Sequence, residues 1–132
     1  MSTLKENRAF IVRYFNAISG KIKTPQLCGQ FILDKKLIDH IMFFDGAFPK
    51  YELFIEEMIA EDNKVLVRGR AIGIHKAEFN GIPPTNRTMD LPFVIRYVIK
   101  HKKIIDYWLL ADQVILMDQL GVTTTKSELP TQ

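Results

Sequence analysis

The amino-acid order predicts an α+β fold: a cone-shaped barrel in which a curved antiparallel sheet packs against N-terminal helices. Three observations lead there. Apolar residues near the N-terminus recur at helical spacing, from residue 51 the period falls to two, and the helices come grouped before the strands instead of alternating with them. The chain has 132 residues, 47% of them hydrophobic, enough for one domain to bury a core without disulfide or metal staples.

The elements follow in order. Thr3 and Glu6 form a Thr-x-x-Glu capping box, and Leu4, Ile11, Phe15 and Ile18 then share a helical face until Gly20 stops the helix. Thr24-Pro25 places an N-cap before Pro at the first helical position, predicting a short helix over 25–33. The apolar segment 37–44 reads as a short helix or a loop at a pocket rim. A strand over 51–60 ends in the turn Glu61-Asp62-Asn63, and a long strand covers 64–76, with Gly69 and Gly73 marking a bend or a close approach. Gly81-Ile82-Pro83-Pro84-Thr85-Asn86 is a loop, because consecutive prolines cannot donate ladder hydrogen bonds. The strand 87–100 puts Met89, Leu91, Phe93, Ile95, Tyr97 and Ile99 on one apolar face. After the turn at His101-Lys102 come a strand over 104–111 and a final helix over 113–120, stopped by Gly121. The domain is expected to span 1–122, and the polar segment 123–132 to be a flexible tail.

Composition narrows the function classes. Eighteen Lys and Arg are interspersed with fifteen Asp and Glu for a net charge of +3, and the densest run, Lys100-His101-Lys102-Lys103, fits a solvated turn better than a phosphate grip. No aromatic-plus-basic motif points to nucleic acid, and no apolar run approaches the roughly 18 residues of a membrane span. The lone Cys28 excludes an internal disulfide and suits a buried position in a cytoplasmic protein. The three histidines lie far apart without a metal-ligand spacing, and neither a phosphate-binding glycine loop nor a serine-hydrolase elbow is present.

From residue 58 onward the pattern becomes more specific. Ala60-Glu61-Asp62 with Val65, Gly73 with His75, Gly81-Ile82-Pro83-Pro84-Thr85, and Trp108 with Asp112 before Gln119-Leu120-Gly121 occur in order. Together they resemble the SnoaL-like polyketide cyclases of the nuclear-transport-factor-two-like superfamily. The chain departs from that pattern at Lys76-Ala77 and at Asn86. The resemblance implies the cone-like barrel, often a homodimer formed through the sheet, and no cofactor or metal. It also implies ring closure by an intramolecular aldol reaction, with the acid at Asp112 as acid/base catalyst.

Such chemistry removes a proton from the carbon beside a carbonyl, a task suited to a carboxylate in an apolar cavity. Asp112 is the expected base and His75 the expected donor or relay, facing one cavity. Asp112 could equally cap the helix that follows it, and His75 could be a structural histidine. His40, Trp108, Phe43, Phe44, Met58 and Asp106 are the expected substrate-binding residues, with ordinary core packing as the other reading of the apolar ones and a satisfied, partly buried structural histidine as the other reading of His40. Two functions stand side by side: a cyclase or isomerase acting on a small hydrophobic carbonyl compound, and a non-catalytic ligand-binding or dimerisation module on the same fold.

Overall fold

The first helix, α1 (Leu4–Ile18), starts on its capping box: Glu6 N–H donates to Thr3 Oγ1 at 3.0 Å, and Thr3 N–H donates to Glu6 Oε1 at 2.9 Å. The computed structural model describes residues 3–122; the expected tail, 123–132, lies outside them. α1 buries Asn7, Phe10, Ile11, Tyr14, Phe15 and Ile18 along one stripe. Gly20 takes a left-handed φ of +70°, a conformation open to glycine at little cost, and turns the chain away.

The second helix, α2, is shorter than its spacing predicts, running only Pro25–Gly29 behind the Thr24 cap. The reason is tertiary. Ile32 forms a parallel bridge to Ile104, and Leu33 N–H donates to the Ile104 carbonyl at 2.8 Å. Residues 30 and 31 turn the chain, and segment 32–34 then runs beside the sheet. Asp34 then caps a full third helix, α3 (Lys35–Ala47), by accepting from Lys36 N–H at 3.0 Å, so the rim segment is helical and longer than 37–44.

Four antiparallel strands follow, β1 (Glu52–Glu61), β2 (Lys64–Ile74), β3 (Thr88–Lys100) and β4 (Lys103–Ala111), in sheet order β1-β2-β3-β4. His101 and Lys102, both at positive φ, make the tight β3–β4 turn in the conformation that matches strand twist. All six residues of the predicted β3 face are buried. Two bulges bend the outer strands: Glu56 is extra between Ile55 and Glu57 in β1, and Ile105 is extra between Ile104 and Asp106 in β4. The sheet curls around α1 and α3, and the core lies on its concave face.

The last helix, α4 (Gln113–Gln119), covers the part of β3 that β4 leaves unpaired. Gln119 does this with its amide, which accepts from Asp90 N–H and donates to the Asp90 carbonyl, both at 2.8 Å. The helices, the antiparallel sheet and their order are those of the predicted α+β fold. Among the described residues no helix is long and apolar enough to cross a membrane.

Candidate active site

A cavity of about 260 Å3 opens between the helices and the concave face of the sheet. Four residues of α3 line it: Leu37, His40, Ile41 and Phe44. They stand at i, i+3, i+4 and i+7, one helical face. Leu53, Ala71, Leu91, Phe93 and Ile95 make the apolar sheet wall, and Tyr14, Tyr51 and Tyr97 add phenol rings. The cavity reaches the surface beside Leu110, which is 60% exposed, and Gln113. Among the described residues no Asp, Glu, Lys or Arg side chain lines it.

His40 and Phe44, both expected from sequence, meet inside this cavity with ring centres 4.9 Å apart, and Tyr107 flanks His40 on the other side. Burial pushes the His40 pKa down from its ordinary value, because an apolar wall disfavours the imidazolium. A neutral imidazole able to accept a proton therefore sits in an apolar pocket.

The other expected site residues lie elsewhere. His75 is fully buried, but it is not a lining residue. Its Nδ1 accepts from Thr85 N–H at 3.2 Å and lies 3.0 Å from Thr85 Oγ1, while its ring packs against Phe48. His75 thus clamps the Pro83-Pro84 loop onto the end of β2; its buried Nε2 has no hydrogen-bond partner. Asp112 caps α4, its Oδ1 accepting from Ile115 N–H at 3.0 Å, and it is exposed at the mouth between the lining residues Ala111 and Gln113. The two groups expected to share a cavity do not share this one.

Asp106 and Trp108 point to the convex face of the sheet, where Asp106 accepts from Arg96 Nη2 at 2.8 Å and Trp108 is 51% exposed. The cause is the bulge at Ile105. Strict alternation from Ile104 would turn 106 and 108 inward, but the bulge absorbs one residue, so Tyr107, Leu109 and Ala111 pack inward instead. Phe43 is one residue off the lining face of α3, 47% exposed and packed on Phe44 and Phe79. Met58 packs against the core from β1 without lining the cavity. Among the described residues no three His, Cys, Asp or Glu side chains gather as metal ligands would.

Sequence reasoning missed the tyrosines and Lys23. Tyr14 was available as the polar-tipped residue on the buried stripe of α1, and Tyr97 as the one on the apolar face of β3. Lys23 left no such signal. Its side chain is completely buried, with Nζ donating to the Tyr51 carbonyl at 2.8 Å and the Lys21 carbonyl at 3.0 Å, and lying 3.4 Å from Asp45 Oδ1.

Residues 35–120 match the model of the SnoaL-like polyketide cyclases. The chain belongs to that family. The match takes in α3, the sheet and α4 but not α1, so Tyr14 comes from outside the matched region of this SnoaL-like domain. Among solved structures, a candidate SnoaL-like polyketide cyclase from Jannaschia sp. CCS1 superposes with a TM-score of 0.78 at 18% identity, covering 94% of this chain and 98% of that one. AclR, a candidate hydroxylase from Streptomyces galilaeus, gives 0.79 at 18% identity over 95% and 88%. IdmH, a candidate polyketide cyclase from Streptomyces antibioticus, gives 0.74 at 18% identity over 89% and 99%. These likenesses concern the fold. No curated protein matches the chain.

Proposed function

We propose that this SnoaL-like domain binds a small hydrophobic carbonyl compound in its cavity and moves a proton at the carbon beside the carbonyl, leading to cyclisation or isomerisation. The observation that carries the reading is His40, whose pKa burial lowers, lining a largely apolar chamber that no charged carboxylate or cation among the described residues enters. His40 takes the proton from carbon, leaving an enolate. In a cyclisation the enolate carbon bonds to a second carbonyl carbon of the same molecule, and the resulting alkoxide oxygen receives the proton back from His40. No redox partner is needed. Asp112 is the second candidate base, because its cap uses Oδ1 alone and it stands at the mouth beside Gln113. His75 serves the fold by holding Thr85.

Deuterium exchange at the α-carbon of α-tetralone, followed by NMR in D2O, tests this. The wild type should exchange the α-protons faster than buffer, and His40→Gln should abolish the excess. Loss in Asp112→Asn with retention in His40→Gln would transfer the base to Asp112. Ketone binding without exchange in the wild type would favour the non-catalytic module.

The chain is further proposed to pair with a second copy through the convex sheet face. Ile59, Leu66 and Trp108 expose 52%, 36% and 51% of their surface there, and Ile59 pairs with Leu66 across β1–β2. Light scattering should give twice the chain mass for the wild type and the single mass for Trp108→Glu.

A further inference from the structure

The closed part of the cavity holds more hydrogen-bonding capacity than the protein uses. Tyr14, Tyr51 and Tyr97 are 2%, 6% and 3% exposed, and all three line the cavity. A buried phenol left without a partner is costly, so such hydroxyls normally find one. The Tyr14 and Tyr97 rings cross edge to face with centres 5.8 Å apart. Each hydroxyl carries one hydrogen, so a bond between the two would employ one hydrogen and leave the other free. Among the described residues no hydrogen bond to the Tyr51 hydroxyl accompanies its burial. Two phenolic hydrogens are thus left over in a chamber that no carboxylate among the described residues lines.

Tyr51 is also held unusually firmly. Its carbonyl accepts from Lys23 Nζ at 2.8 Å, and the same ammonium stands 3.9 Å from the centre of its ring. A cation over the ring face is attracted to the π system, so Lys23 fixes the ring from behind. Gly73 lets β2 pass close behind the same residue: a Cβ there would come 3.0 Å from Tyr51 Cβ and 3.2 Å from Phe48 Cβ. Burial raises the pKa of all three phenols, so they remain protonated donors across the ordinary pH range.

We propose that Tyr51 and the Tyr14–Tyr97 pair form an oxygen-acceptor site for the ligand, giving the cavity a preference for uncharged cyclic ketones over hydrocarbons of the same shape. This rests on the cavity-binding reading above and adds to it where the ligand oxygen sits. The absence of a lining cation disfavours carboxylates and phosphates, which would enter as unpaired charges. Size agrees: a dry apolar cavity of about 150 Å3 takes up benzene, so the larger chamber here suits one or two fused rings. With the carbonyl oxygen held by two phenols, charge developing on it as an enolate meets donors already in position, and His40 shares the same chamber.

The test measures binding of α-tetralone and of tetralin, the same frame without the oxygen, to the wild type, Tyr51→Phe, Tyr97→Phe and the double variant, by calorimetry and by the infrared carbonyl band of bound tetralone. The wild type should bind tetralone at least tenfold more tightly than tetralin. Each single variant should reduce that preference several-fold and the double variant should erase it, tetralin affinity remaining unchanged throughout. The carbonyl band should lie at lower frequency in the wild type than in the variants. The thermal midpoint of Tyr51→Phe should match or exceed the wild type, because that change removes a hydroxyl without a partner among the described residues, and Tyr97→Phe should stay folded with a midpoint at most slightly lower, because it removes one side of the Tyr14–Tyr97 pair. If the variants weaken both ligands alike, or leave the carbonyl band in place, the oxygen site is refuted while the cavity reading stands. If Ala71→Leu, which fills the chamber, leaves tetralone binding untouched, the ligand lies elsewhere and both readings fall.

Discussion

Filling the cavity should stabilise this protein and disable it in the same stroke. Ala71 lies on β2 between Leu53 of β1 and Leu91 of β3, and all three line the chamber. Ala71→Leu adds three carbons to a space of about 260 Å3. At about 0.8 kcal/mol per buried carbon the ceiling is about 2.4 kcal/mol, and strain in seating the larger side chain lowers the expected gain to about 1–2 kcal/mol. For a domain of this length that raises the thermal midpoint by roughly 3–8 °C. Thermal unfolding by circular dichroism gives the first number, and calorimetry with α-tetralone gives the second, expected to fall below detection. A lower midpoint would mean that the inner wall is already filled, and the reasoning from cavity to function would fail with it.

Three further outcomes are expected. Gly69→Ala should lower stability by about 1–3 kcal/mol, since its Cβ would lie 2.3 Å from the Phe54 carbonyl oxygen of the paired strand; thermal unfolding checks it. Asp112→Ala should cost about 1 kcal/mol through loss of the α4 cap and Asp112→Asn only a few tenths, read from denaturant midpoints; equal losses would show that the acceptor at Ile115 N–H contributes nothing. His40 contributes a pH term whose sign follows from its lowered pKa: the unfolded chain takes up the proton first, so stability is full above the ordinary value of 6.5 and is lost as pH falls through the folded-state value. His40→Gln should flatten the stability profile in that window relative to the wild type.

Local rules carried the fold a long way. The Thr3–Glu6 capping box, the Thr24-Pro25 helix start, the period-two face of β3 and the turn at His101-Lys102 are all decided within a few residues, and each was readable as written. Two elements were decided at a distance. α2 stops early because segment 31–34 is captured by Ile104, some seventy residues on, and Asp34 then caps α3. The site was harder for the same reason. His40 and Phe44 share a face of α3, but the sequence left 37–44 open between helix and loop, so each was named without the geometry that joins them. Trp108 and Asp106 were misread because a bulge resets alternation without a glycine to announce it. His75 stayed open between proton relay and structural histidine, since its partner Thr85 arrives from across a loop that sequence spacing cannot close.

The same bulges bear on how relatives of this chain can differ in length. In a regular strand, removing one residue exchanges the two faces for everything beyond it, which here would turn Tyr107, Leu109 and Ala111 to the outside. Position 105 is an exception. Ile104 already pairs with Ile99 and Asp106 with Val98, so an in-frame loss of Ile105 would leave the chamber lined by the same side chains and only straighten β4. Glu56 has the same standing in β1, between Ile55 opposite Gly69 and Glu57 opposite Arg68. These two sites are where the sheet can gain or lose a residue, and so change its curvature and the width of the chamber, without rewriting what the ligand meets.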